Sequence, residues 1–175
     1  MDRGRYYFAE KDDITYIKMV GDLKYTTGSG FDRFVDDLIE RGFQNLVIDL
    51  SEATYIDSTN LGLIAKLAEE SRKDRQKHVS IISTSDDINE ILESVRFNRL
   101  FTIVKSVEDA SEKLCGVEGQ EIQDVESCKT EDLQMLLKAH RALIEAHEDN
   151  VPQFKDVVEL LEQEQEQQEE QEAKE

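Results

Sequence analysis

The stretch from Leu46 to Gly62, LVIDLSEATYIDSTNLG, narrows the possible folds more than any other. Leu46, Val47, Ile48 and Leu50, interrupted only by Asp49, form the short apolar run of a strand covered on both faces in a parallel sheet. From Asn60 onward, Leu61, Ile64, Ala65 and Ala68 recur at helical spacing. Asp57, Ser58 and Thr59 therefore fall at a helix N-terminus, where backbone N–H groups lack intrahelical partners and an anion is favoured. Asp, Ser and Thr are also the usual N-caps, so the pattern alone reads as a capped strand-to-helix elbow.

The apolar content, 38% of 175 residues, suffices for one ordinary domain plus a smaller region. No apolar run is long enough to span a bilayer, and no apolar signal segment follows Met1-Asp2-Arg3-Gly4-Arg5, so a cytoplasmic location without membrane contact is expected. A formal charge of -19 argues against nucleic-acid binding, which needs a basic surface to displace counterions. The charge is uneven: Glu145 to Glu175 carries 12 acidic and 2 basic residues, more than half of the net charge. Cys115 and Cys128 have no metal-ligand spacing and no secretory context. Neither a disulfide, a zinc site nor a cofactor is expected.

Taken in order, Tyr6–Ala9 and Ile14–Val20 are strands of an opening hairpin around Lys11-Asp12-Asp13. Gly21-Asp22-Leu23-Lys24 forms a corner, and Phe31, Phe34, Val35, Leu38 and Ile39 mark an amphipathic helix ended by Arg41-Gly42. After the central strand and helix come a strand at His78–Ser83, a helix carrying Ile88, Ile91, Leu92 and Val95, and a short strand at Ile103-Val104. Ser106-Val107-Glu108-Asp109 opens a further helix that Leu114-Cys115-Gly116 closes. The order is β-β-α-β-α-β-α-β-α, an α/β fold with a mixed, largely parallel sheet. Residues 1–116 form this domain and 117–129 a linker. A helical hairpin is expected over 130–161: Thr130 can cap its first helix, in which Leu133, Leu136, Leu137, His140, Ile144 and His147 share a face. Pro152 precedes the second stripe, Phe154, Val157, Val158 and Leu161. Residues 162–175, almost all Glu and Gln, offer no apolar face and read as a fraying helix or a disordered tail.

Asp57-Ser58-Thr59-Asn60-Leu61-Gly62 resembles the central motif of STAS domains, and most closely of bacterial anti-sigma factor antagonists, D-S-[ST]-G-[LI]-G after a strand. Asn60 replaces the motif glycine, a mild departure because Asn tolerates left-handed backbone angles. The resemblance extends over about residues 6–116 and includes Phe97-Asn98-Arg99-Leu100-Phe101 before the last strand. It implies a STAS-like domain with a helical extension, in which Ser58 is phosphorylated. The implied partner surface comprises Asp22, Lys24, Asp57, Ser58, Thr59 and Asn60. Lys24 stands where the family usually has an acidic residue, and there it either pairs with a serine phosphate or is simply solvated. The partners implied are an anti-sigma factor of the serine kinase type, bound by the unphosphorylated chain so that a sigma factor is freed, and a PP2C-type phosphatase. Another STAS role is a scaffold or switch acting on a non-sigma signalling enzyme, for which the extra helices leave room.

Three catalytic or phosphotransfer alternatives fit less well. A nucleophilic Ser58 needs a nearby base, and His78 begins a strand parallel to the one before Ser58, which puts the two at opposite sheet edges. A receiver-like domain would use Asp57 and Lys105, but the chain opens with a hairpin and has no acidic pair after a first central strand. Ala139-His140-Arg141-Ala142-Leu143 is reminiscent of a histidine phosphotransfer helix, yet lacks the Lys-Gly that should follow. On an apolar face His140 and His147 read as packing residues, and the chain reads as a binding module rather than an enzyme.

Overall fold

The structure, a computed structural model, describes residues 2–106 and 119–175. Strands β1 (Arg5–Lys11) and β2 (Ile14–Leu23) form the opening hairpin, turning at Asp12, which takes the left-handed φ of 55° that Asp tolerates. A 3₁₀ turn at Tyr25–Thr27 leads into α1 (Ser29–Arg41), which stops at Gly42. The central unit is β3 (Asn45–Ile56) and α2 (Ser58–Arg72); β4 (His78–Ile82), α3 (Asp86–Ser94) and β5 (Thr102–Val104) follow.

The sheet order is β5-β4-β3-β2-β1, continued by a sixth strand, β6 (Gln120–Ile122). The pairs β2–β3, β3–β4 and β4–β5 are parallel, whereas β1 runs antiparallel to both of its neighbours. This is the mixed, largely parallel α/β sheet expected from the order of elements. Ile48 and Leu50 of β3 are fully enclosed, with Ile17 and Met19 of β2, Phe31, Val35 and Leu38 of α1, and Leu63, Ile64 and Leu67 of α2. Gly21, at φ 79°, lies where the β2–β3 register shifts; a Cβ there would sit 2.7 Å from the Asp2 carbonyl oxygen, so the turn requires glycine.

Several boundaries differ from expectation. The stretch read as a linker supplies β6, which pairs Tyr6 with Ile122 and Phe8 with Gln120. Three residues recruited by an open sheet edge carry too little periodicity to be read in advance. The helix expected to start at Ser106 lies outside the described residues. The first helix of the extension, α4 (Lys129–Ala146), is capped by Cys128 rather than Thr130, with Glu131 accepting the Cys128 N–H at 3.0 Å. A 3₁₀ turn at Glu148–Asn150 joins it to α5 (Val151–Glu172), with Pro152 in the first turn, where its missing N–H costs nothing. The Glu/Gln tract thus continues α5 instead of dividing from it at residue 162. It is held to α4 by Arg141–Glu162 at 2.7 Å, Lys129–Glu164 at 3.3 Å and Thr130–Gln168 at 3.4 Å.

Candidate functional site

Register brings the predicted residues to one end of the sheet. Asp22 pairs with Tyr55 and Leu23 with Ile56, so the exits of β2 and β3 lie side by side, and α2 starts there at Ser58. In parallel sheets this C-terminal edge is where ligands and partners are usually met.

Asp57 is the N-cap. Its Oδ1 accepts the Asn60 backbone N–H at 2.9 Å and the Asn60 side-chain amide at 3.0 Å, while Oδ2 accepts the Tyr25 N–H at 2.6 Å. One carboxylate therefore ties the start of α2 to the turn after β2. Asn60 is fully buried and in ordinary helix, so its tolerance of left-handed angles is not what the position uses. It bridges Asp57 and Tyr6, whose hydroxyl donates to Asn60 Oδ1 at 2.8 Å. Burial pushes the Tyr6 phenol far above its ordinary pKa, which keeps it a neutral donor.

Thr59 is as enclosed as Asn60, so neither side chain can meet a partner in this arrangement. Asp22 is also largely buried and accepts the Thr54 hydroxyl at 2.7 Å. Lys24 is exposed, with Nζ 3.6 Å from Asp22 Oδ2 and 6.0 Å from the centre of the Tyr55 ring. Its charge is met by Asp22. Tyr25 and Tyr55 stand exposed on the same edge.

Ser58 is half-buried, and its neighbour comes from the extension. Ser58 Oγ lies 2.9 Å from Nε2 of His140 on α4, and His140 Nδ1 lies 2.6 Å from the Leu136 carbonyl oxygen. His140 is 4% exposed and packs edge-on against Phe154 of α5, ring centres 5.8 Å apart. The histidine beside Ser58 is therefore His140 of the extension and not His78, which begins β4. His140 is a packing residue, as read, and a polar contact to Ser58 as well.

One turn further, α2 and α4 approach so closely that a Cβ on Gly62 would stand 2.1 Å from the Ala139 carbonyl oxygen. Met135, Ala139, Leu143 and Ala146 of α4 join the domain core, while Leu133 and Leu137 of α4 and Val158 of α5 are buried apart from it. Lys138 bridges to Asp32 at 2.7 Å and Asp36 at 2.9 Å on α1, and Lys66 of α2 contacts Asp36 too. Asn150 donates to the Val95 and Leu143 carbonyls at 3.0 and 2.9 Å, and Arg96 pairs with Asp149 at 2.9 Å. The stripe 135, 139, 143, 146 was present in the sequence. Its alanines do not announce a docking face, and Gly62 was absorbed by the motif.

The architecture defines an α/β domain in which Ser58 follows the Asp57 cap at the exit of the central strand. The sequence model of the STAS domain matches residues 8–110, and the chain belongs to that family. Similar solved structures include an anti-sigma factor antagonist from Mycobacterium paratuberculosis, 15% identical with a TM-score of 0.53, covering 63% of this chain and 93% of that one. The anti-sigma factor antagonist SpoIIAA in its unphosphorylated form is 11% identical, TM-score 0.52, covering 62% and 95%. The Bacillus cell fate determinant SpoIIAA in its phosphorylated form is 12% identical, TM-score 0.50, covering 62% and 98%. At these identities the likeness is one of fold. Helices α4 and α5 lie beyond the family match. Among the described residues no helix is long and apolar enough to cross a membrane.

Proposed function

We propose that this chain is a cytoplasmic anti-sigma factor antagonist controlled by phosphorylation: unmodified at Ser58 it binds an anti-sigma factor, and a phosphate on Ser58 ends that binding. The observation that carries this reading is the place of Ser58, first residue of α2, directly after the Asp57 cap, at the sheet edge where Asp22 and Lys24 also emerge. The chain supplies a substrate serine. An anti-sigma factor that is itself a serine kinase would phosphorylate it, and a PP2C-type phosphatase would restore it.

A phosphate adds about -1.5 to -2 charge, which the N-terminus of α2 tolerates through its free N–H groups. The same charge, added beside Asp57 and Asp22, opposes a partner that must desolvate this edge, since like-charge juxtaposition there costs several kcal/mol. Tandem mass spectrometry of the chain from its own cells should find phosphate on Ser58, and none at this site in Ser58→Ala. An unmodified Ser58 under every growth condition would overturn the reading.

The extension favours a second reading, a STAS switch acting on a non-sigma signalling enzyme, because α4 contributes His140 to the very face on which a partner would act. A pull-down with unmodified protein separates the two by whether an anti-sigma factor or another enzyme is recovered.

A further inference from the structure

We propose that the α4–α5 hairpin is a lid over the Ser58 face of α2, latched by the Ser58–His140 hydrogen bond and released when Ser58 is phosphorylated. The proposal rests on Ser58 being the modified residue, and it adds what modification does to the rest of this chain.

The latch has a fixed direction. A carbonyl oxygen only accepts, so His140 Nδ1, 2.6 Å from the Leu136 oxygen, carries a proton. In the neutral ring Nε2 is then an acceptor, and the Ser58 hydroxyl 2.9 Å away is its donor. Phosphoryl transfer from a nucleoside triphosphate forms the Oγ–P bond and breaks the P–O bond between the β- and γ-phosphates, so that the nucleoside diphosphate leaves and the hydroxyl proton passes to the kinase's general base. The donor is lost, and acceptor oxygens confront the lone pair of Nε2.

His140 has no room to withdraw. Phe154 bounds its ring on the α5 side, and the backbones of α2 and α4 already touch at Gly62 and Ala139. The added group is therefore accommodated by moving α4. Leu133, Leu137 and Val158, buried apart from the domain core, keep the two helices together as a unit, while Met135, Ala139, Leu143 and Ala146 leave that core when the hairpin moves. Besides those four apolar side chains, it gives up ion pairs and hydrogen bonds that water replaces: Lys138 with Asp32 and Asp36, Arg96 with Asp149, and Gln153 with the Ser94 carbonyl at 2.9 Å.

The two states would present different surfaces. With the lid closed, Lys24, Tyr25 and Tyr55 remain exposed for a partner of the unmodified chain. With the lid open, the face of α2 from Ser58 through Gly62 to Arg72 is uncovered as well; Arg72 now reaches the Ala146 carbonyl at 3.5 Å.

Hydrogen exchange read by mass spectrometry tests this on the full chain carrying phosphoserine installed at position 58, against the unmodified chain. Amides of α4, and of α2 from Gly62 onward, should exchange at least about tenfold faster in the phosphorylated chain while β3 and β4 keep their rates. Unchanged rates in α4 would mean that phosphate is accommodated beside a closed lid. Slower rates would mean that a protonated His140 clasps it. Either result overturns the proposal. Phosphate mapped to Ser58 in cells together with unchanged exchange would leave the switch standing and remove the lid. Faster exchange in a protein never phosphorylated in cells would do the reverse.

Discussion

Helix α2 is held on two sides by different physics. Toward the sheet, Leu63, Ile64 and Leu67 are fully enclosed with Ile48, Leu50 and Phe31, large apolar side chains that no water can replace. Toward α4, the contacts are a glycine against a backbone carbonyl, a hydroxyl against an imidazole and the apolar Met135, Ala139 and Leu143, while lysine–aspartate pairs tie each helix to α1. The first side fixes the helix permanently. The second is close-fitting, mixes a smaller apolar set with groups that water can satisfy, and gathers around the one residue whose chemistry is expected to change. A helix apolar around much of its circumference is normally a buried one, and α2 becomes such a helix only because the extension covers it.

The largest effect should separate the two sides. Ile48→Ala, in the centre of β3, should cost about 2–5 kcal/mol and shift urea unfolding of the whole domain. Leu143→Ala removes an equally enclosed side chain from α4. Its effect should fall on the hairpin, raising exchange in α4 and α5 while the amides of β3 keep their protection. Equal loss of protection in β3 would make domain and hairpin one cooperative unit, and the comparison would fail.

Gly62→Ala comes next. In an unencumbered helix interior the change stabilises by up to about 1 kcal/mol, since alanine is the better helix former. Here the added methyl meets backbone at a distance that no side-chain rotation relieves, so overpacking of about 1–3 kcal/mol is expected instead. Thermal melts give the sign directly. A stabilised Gly62→Ala protein would show that α4 does not rest on α2 in solution.

The same contrast explains what could be read from the sequence. The hairpin, the parallel strands and α1 to α3 were legible because large apolar residues recur at periods of two and 3.6 along them, as with Ile88, Ile91 and Leu92 in α3. The elbow at Asp57-Ser58 was legible because cap chemistry is local. The dock of α4 was not, because Ala139 and Gly62 work by being small and His140 by reaching Ser58 across 82 positions. The contact of Asn60 is hidden for a related reason: it depends on Tyr6, 54 positions away, and not on its own backbone angles. Short-range pattern reports what a residue prefers. It does not report which distant partner completes it.

The smallest effect concerns the charge cluster at the edge of the dock. Burial disfavours the Asp36 carboxylate, but hydrogen bonds from Lys66 and Lys138 outweigh it and hold its pKa below the ordinary carboxylate value. The lysines respond differently. Burial pulls Lys66 down despite its bond to Asp36, whereas for Lys138 the bonds to Asp32 and Asp36 exceed the burial effect and raise it. Asp36 is about half exposed, so its ion pairs should contribute under about 1 kcal/mol and be weakened by salt. A carboxyl depressed in the folded state contributes its stability above the unfolded value and loses it as pH falls through the folded one. Protection of α4 amides, corrected for intrinsic exchange, should therefore decline as pH drops below about 4, and the decline should be shallower in Asp36→Asn. Identical acid profiles in the two proteins would mean that the cluster does not help to hold the hairpin, leaving its small-residue contact and the Ser58–His140 bond as the polar and steric basis of docking.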